Sequence, residues 1–200
     1  IKEKIKLDRA YINYHKIIDK KLPYKFSYLD EWTLKKSKKL LEETEQFENE
    51  NELNYRVYKR GTLIKVDFGV GLGSEMSQVH FAIVFNNYDN KKNNILTVVP
   101  LTSKEGKFNL NLHGLVIEEL IKNVEKEIVN IGIQEEYNNI KNSIDEVKVQ
   151  KLNTLLSYYK NNVKNTYACC SLITTISKTR ILLPINEYDI VGRVKWDRKR

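Results

Sequence analysis

Cysteine, histidine, proline and methionine are all scarce in this chain: two, three, three and one respectively in 200 residues. The two cysteines, Cys169 and Cys170, are sequence neighbours. A bridge between adjacent residues strains ordinary disulfide geometry, so no disulfide framework is expected and the chain suits a reducing, cytosolic compartment. On a strand the pair would point to opposite sides, one of them inward. The histidines are His15, His80 and His113. No cysteine–histidine or acidic cluster has ligand spacing, so neither a metal nor a cofactor is expected. The glycines are not followed by the lysine of a phosphate-binding loop, which argues against a nucleoside triphosphatase. There is no Gly-x-Ser-x-Gly elbow either. No apolar run approaches the ~18 residues that span a bilayer. The opening IKEKIKLDR is too charged for the core of a signal peptide. These absences leave two broad classes open, metal-free acid–base chemistry and plain binding.

What the chain has in excess is positive charge. Lysine and arginine number 34 against 26 aspartates and glutamates, a formal net charge of +8. That balance favours a polyanionic partner, whether RNA, DNA or an acidic protein, although a composition rich in Lys, Asn and Ile produces it without any partner. The length fits one domain with an extension and is sufficient to bury a core.

The stretch Tyr58–Lys104 organises the rest. Leu63 to Phe68 alternates apolar and polar residues, as a half-buried strand does. Gly69, Gly71 and Gly73 follow, three of the chain's eight glycines within five residues, where the backbone turns sharply or admits a close approach. VHFAIVFNN reads as a buried strand of β-branched and aromatic residues. Asn86, Asn87, Asp89 and Asn90 form a turn cluster. ILTVVPLTS is a third strand, with Pro100 better suited to an edge or bulge than to a strand centre.

On either side the period changes. Leu7, Tyr11, Tyr14 and Ile18 recur at helix spacing until Leu22-Pro23 breaks the pattern. Ser27 is a candidate N-cap for a second helix carrying Trp32, Leu34, Leu40, Leu41 and Phe47. Its charged face is either solvated or a docking arm. Residues 1–54 are thus a helical extension, and 55–200 form the main unit. Lys107 to His113 reads as a strand. Ile117, Leu120, Ile121, Val124 and Ile128 then mark a helix face, Gly132 interrupts, and Tyr137, Ile140, Ile144 and Val147 mark a second face continuing through Leu155 and Tyr159 to Val163. This is a helical hairpin inserted over about 115–164. It packs with the N-terminal helices or serves as a dimerisation or partner arm. YACCSLITTISKTRILLPI returns to strand character, with Ser177-Lys178-Thr179 as the turn and Ile181–Leu183 opening another strand. Tyr188–Trp196 is one more candidate strand, and VKWDRKR a basic tail.

Four pieces in order resemble the MazF/PemK family of toxin–antitoxin toxins: RGTLIKVDFGVGLGSE, VHFAIVFNN, the strand ending VVPLTS, and SLITTISKTRI. The resemblance implies an α+β fold, a small SH3-like β-barrel with N-terminal helices and an inserted helical hairpin. It implies a cytoplasmic, homodimeric toxin with a cognate antitoxin. The implied activity is sequence-selective, metal-independent cleavage of single-stranded RNA, leaving 2′,3′-cyclic phosphate and 5′-hydroxyl ends. Unstacked bases are readable there. CcdB-type toxins share the barrel and bind DNA gyrase instead, and a barrel that only binds RNA is a third option, since a fold does not fix a function.

The resemblance also implies site residues. His80-Phe81 stands where the family usually has an Arg-Pro pair, so His80 holds the catalytic arginine position. Arginine stays charged, whereas histidine also exchanges protons near neutral pH; a histidine inside an apolar strand is otherwise a core residue. Thr102 matches the second catalytic position, where its hydroxyl would donate to a phosphate oxygen, and Ser103 is a neighbouring donor. Ser74 and Glu75 lie in the loop before His80. Glu75 is the base, an orienter of His80, or simply a brace of its loop. Arg60, Lys65, Lys178 and Arg180 contact RNA phosphates or are ordinary strand-end cations. Thr175 and Ser177 match the late motif and support the core.

Overall fold

Alternating apolar side chains build the sheet first. In the computed structural model, which describes residues 2–48, 54–138, 143–161, 165–189 and 191–192, helices α1 (Lys2–Asp19) and α2 (Leu29–Glu48) precede strands β1 (Leu63–Asp67), β2 (Val79–Val84), β3 (Ile95–Thr102) and β4 (Asn109–Asn111). Helices α3 (Leu115–Asn138) and α4 (Ser143–Asn161) follow, then β5 (Tyr167–Cys169) and β6 (Thr174–Ser177). The six strands form one sheet in the order β1-β2-β3-β5-β4, with β6 also pairing β3. Every pairing is antiparallel. The chain therefore has an α+β fold.

The pleat sorts the core into two layers. Ile64, Val66, Ala82, Val84, Leu96 and Val98 are at most 1 % exposed and pack together with Tyr58, Phe68 and Ile176. Leu63, Leu101 and Ala168, with Phe81, Ile83 and Val99, join the other cluster, whose remaining members come largely from α3 and α4. Each fully buried aliphatic side chain contributes roughly 1.5–3 kcal/mol, so the insertion is bound to the sheet by Val116, Leu120, Val124, Leu152 and Leu155. It packs on the sheet rather than standing off as an arm.

Several expectations are corrected. Among the described residues the ladder is not closed into a barrel: the chain returns to β1 through one bridge, Val66 to Ile181, and through the amides of Leu182 and Gly192, which donate to the Lys65 and Leu63 carbonyls. The reason is local: Lys178–Arg180 winds into a 3-10 turn, so no continuous strand runs from β6 to β1. Only Asn109–Asn111 of the Lys107–His113 segment is strand. Gly132 does not interrupt α3, which runs from Leu115 to Asn138; one internal glycine costs a helix only about 1 kcal/mol. Ser27 does not cap α2. It lies in a 3-10 turn, Tyr24–Tyr28, with its hydroxyl on the Tyr24 carbonyl at 2.7 Å. The apolar face of α1 stays outside, with Leu7 71 % and Tyr11 64 % exposed. Ile140 and Val163 lie outside the described residues; of the strand expected over Tyr188–Trp196, the described residues 188, 189, 191 and 192 are turn or irregular rather than strand. Pro100 pairs Ala82 on one side. On its other side it falls between the residues paired to β6 and those paired to β5, where a missing N–H breaks no ladder bond. Cys169 is buried and Cys170 exposed, but the reason is not strand alternation: β5 ends at Cys169 and Cys170 opens a 3-10 turn.

Candidate active site

The loop after β1 is held from three directions. Gly69 has φ +74 and sits against the Trp32 indole, where a Cβ would collide; glycine is needed there for both reasons. Asp67, 3 % exposed, accepts from the Gly69 amide at 2.9 Å and from the Tyr28 hydroxyl at 2.6 Å. Lys25 Nζ donates to the carbonyls of Gly71 and Gly73 at 2.9 and 2.7 Å. Gln78, at φ 68, exchanges backbone hydrogen bonds with Gly69 and Phe68 and donates from its side chain to the Tyr24 carbonyl. The N-terminal extension thus braces the loop that leads into β2.

Beyond the loop, β2 and β3 each contribute a polar side chain. The paired register runs from Val84–Val98 to Ala82–Pro100 and stops there; beyond it His80 and Thr102, two residues further along each strand, line the same cleft. His80 Nδ1 lies 3.1 Å from the Leu101 carbonyl. A carbonyl only accepts, so in the neutral ring Nδ1 carries the hydrogen and Nε2 keeps a lone pair. Burial pushes the His80 pKa below its ordinary 6.5 and the nearby Lys104 charge lowers it further, while hydrogen bonds to the Leu101 and Ser77 carbonyls offset part of this. The ring is therefore neutral at pH 7. The Thr102 hydroxyl accepts from the Lys104 amide at 3.2 Å, which leaves its own hydrogen to donate.

A cleft of about 240 Å³ opens here. It gathers Lys65, His80, Thr102 and Ser103 from the sheet and its loop, with Ile117 and Tyr158 from the insertion. Lys65 Nζ donates to the Tyr158 hydroxyl at 2.9 Å. The remaining sequence-predicted residues lie elsewhere. Ser74 and Glu75 are exposed on the loop, and Glu75 Oε2 accepts from the Leu72 amide at 2.9 Å, the bracing role. Arg60 donates to the Asn87 side chain and stacks 4.7 Å from the Phe85 ring centroid. Arg180 donates to the Phe68 carbonyl at 2.9 Å and lies over Trp32.

Lys178 is the plainest departure from the reading of it as an RNA contact. It is 7 % exposed, and its Nζ is 2.8 Å from Asp89 Oδ1. Burial raises the Asp89 carboxyl, but hydrogen bonds from Lys178, the Tyr58 amide and the Asn93 side chain outweigh it, and the pKa ends below the ordinary 3.8. The pair ties the loop after β2 to the turn after β6. Sequence reasoning missed Tyr158, Lys25 and the buried Asp67. Tyr158 shares its helix with the apolar Leu155 and Tyr159, and only the fold turns it toward the cleft. Among the described residues no group of three or more His, Cys, Asp or Glu is arranged to hold a metal ion.

The model of a PemK-like, MazF-like toxin of type II toxin–antitoxin systems matches residues 59–195. The chain belongs to this family. The match begins just before β1 and takes in the whole sheet and the insertion, so the PemK/MazF unit contains His80, Thr102 and the cleft, while α1 and α2 precede it. Membership implies an antitoxin partner. No curated protein matches the chain. Among the described residues no helix is long and apolar enough to cross a membrane.

Proposed function

We propose that this PemK/MazF toxin is a cytoplasmic, sequence-selective endoribonuclease that cuts single-stranded RNA using its own side chains, without a metal or cofactor. The observation that supports the reading is that one cleft is lined by both an imidazole, His80, and a hydroxyl, Thr102. His80 Nε2 takes the proton of a ribose 2′-hydroxyl. The freed oxygen attacks the adjacent phosphorus, and the bond to the 5′-oxygen breaks. Thr102 donates to a non-bridging phosphate oxygen as charge builds there. The leaving 5′-oxygen takes a proton from solvent, and the products carry a 2′,3′-cyclic phosphate and a 5′-hydroxyl. Ser103 is a further donor, Lys65 a phosphate contact, and Ser74 and Glu75 shape the adjoining loop.

The family suggests a homodimer and a small SH3-like barrel, and the Val66–Ile181 bridge is the contact by which the curled sheet would close. The antitoxin would cover the cleft. The test sets RNA against gyrase. Purified protein incubated with long single-stranded RNA in chelator should cut at discrete sites and leave gyrase supercoiling unaffected. Intact RNA together with inhibited gyrase overturns the nuclease reading in favour of a CcdB-type toxin.

A further inference from the structure

The insertion does more than cover the sheet. Tyr158 belongs to α4, yet it lines the cleft with Lys65. Lys65 Nζ stands 2.9 Å from the phenol oxygen but 5.2 Å from the ring centroid. The ammonium therefore approaches the hydroxyl edge, and a hydrogen bond fixes its position. Tyr158 is itself set edge-on against Tyr159, with centroids 5.4 Å apart at 73°. Tyr159 is 1 % exposed, and its hydroxyl donates to buried Asp189 at 2.6 Å. Asp189 also accepts from the amides of Ile185 and Val191. The phenol that holds Lys65 is thus anchored in the insertion's core.

An ammonium has three N–H donors, and the bond to Tyr158 uses one. Strand alternation places Lys65 on the face of Phe81, and His80 with Thr102 on the other; the cleft draws on both. A strand of RNA crossing the cleft would meet the ammonium on one side and the His80–Thr102 pair on the other. We propose that Tyr158 is a positioning residue, holding the Lys65 ammonium as a grip for the phosphate flanking the one that reacts. This rests on the ribonuclease reading. It assigns the insertion a part in substrate binding.

The test uses the full chain carrying His80→Ala, which leaves RNA uncut, and measures binding of a fluorescent single-stranded RNA across a salt series. Adding Lys65→Met should flatten the slope of log affinity against log salt by about 0.7, the value of one phosphate contact on a single strand. Tyr158→Phe keeps the ring and removes the hydroxyl. It should weaken binding about threefold, as loss of one hydrogen bond does, and should cause no further loss when Lys65→Met is already present. Circular dichroism must match across the set. An unchanged slope in folded Lys65→Met, or an equal loss from Tyr158→Phe in both backgrounds, overturns the positioning role and leaves the nuclease reading standing. No RNA binding by the His80→Ala protein, with no cleavage by the unmodified chain, overturns both.

Discussion

His80 is one of three histidines and the residue on which the proposed chemistry turns. Its strand context, VHFAIV, reads equally as core, and the ring is half-buried. What separates the two roles is the cleft that His80 lines together with Thr102. Burial holds the His80 pKa below 6.5, so catalysis that needs the neutral ring should rise with pH, with a midpoint below 6.5, and then level off. His80→Ala should remove that inflection and lower single-turnover cleavage by about 10²-fold or more, the usual contribution of a general base. A folded His80→Ala protein with the parent rate and profile would return His80 to the core. The same shift bears on stability. Between the folded pKa and 6.5 the unfolded chain binds the extra proton, so this group's contribution to stability falls as pH drops through that window.

Among the elements, nothing in the sequence ranks one lysine above another. Lys65 on a strand and Lys178 in a turn both lie in motifs that resemble the family, and both read as phosphate contacts. The fold separates them, because the Asp89 that neutralises Lys178 lies 89 residues away. Lys178→Met should destabilise the protein by about 3–5 kcal/mol in urea denaturation, the cost of leaving a buried charge unpaired. A loss below about 1 kcal/mol accompanied by weaker RNA binding would make Lys178 a substrate contact after all. Asp89, with its lowered pKa, adds stability above pH 3.8 that is lost as pH falls through its folded value. The strands themselves were legible: period-two alternation marks β1, and runs rich in β-branched and aromatic residues mark β2, β3 and β6. The turn expected at Ser177-Lys178-Thr179 is present as the 3-10 turn Lys178–Arg180, whereas the continuity of α3 through Gly132 was not legible, because one internal glycine lowers helix propensity without ending a helix.

Across the whole molecule, two additions flank the PemK/MazF sheet and touch the site differently. The N-terminal extension reaches the glycine loop through Trp32, Lys25 and Tyr28. The insertion reaches the cleft through Tyr158. Both appeared in the sequence as amphipathic helices, and their period showed that they existed but not what they touched. Helix periodicity marks an apolar face without naming its partner, and on α1 that face remains exposed. What was legible of the candidate site was position against a family pattern, with Thr102 matching it and His80 standing in place of the usual arginine. The illegible part was everything that holds the pair and its neighbours in place.

The proposed cleavage proceeds by attack of the RNA's own 2′-oxygen on the neighbouring phosphate. The most direct measurement is the chemistry of the ends left on RNA cut in the presence of chelator. Such cleavage leaves 5′-hydroxyls that accept label from polynucleotide kinase without prior phosphatase, and upstream fragments whose terminal phosphate resists phosphatase until acid opens the cyclic ester. Ends carrying 5′-phosphate and 3′-hydroxyl would mean that water, not the 2′-oxygen, attacks, and would contradict the roles assigned to His80 and Thr102.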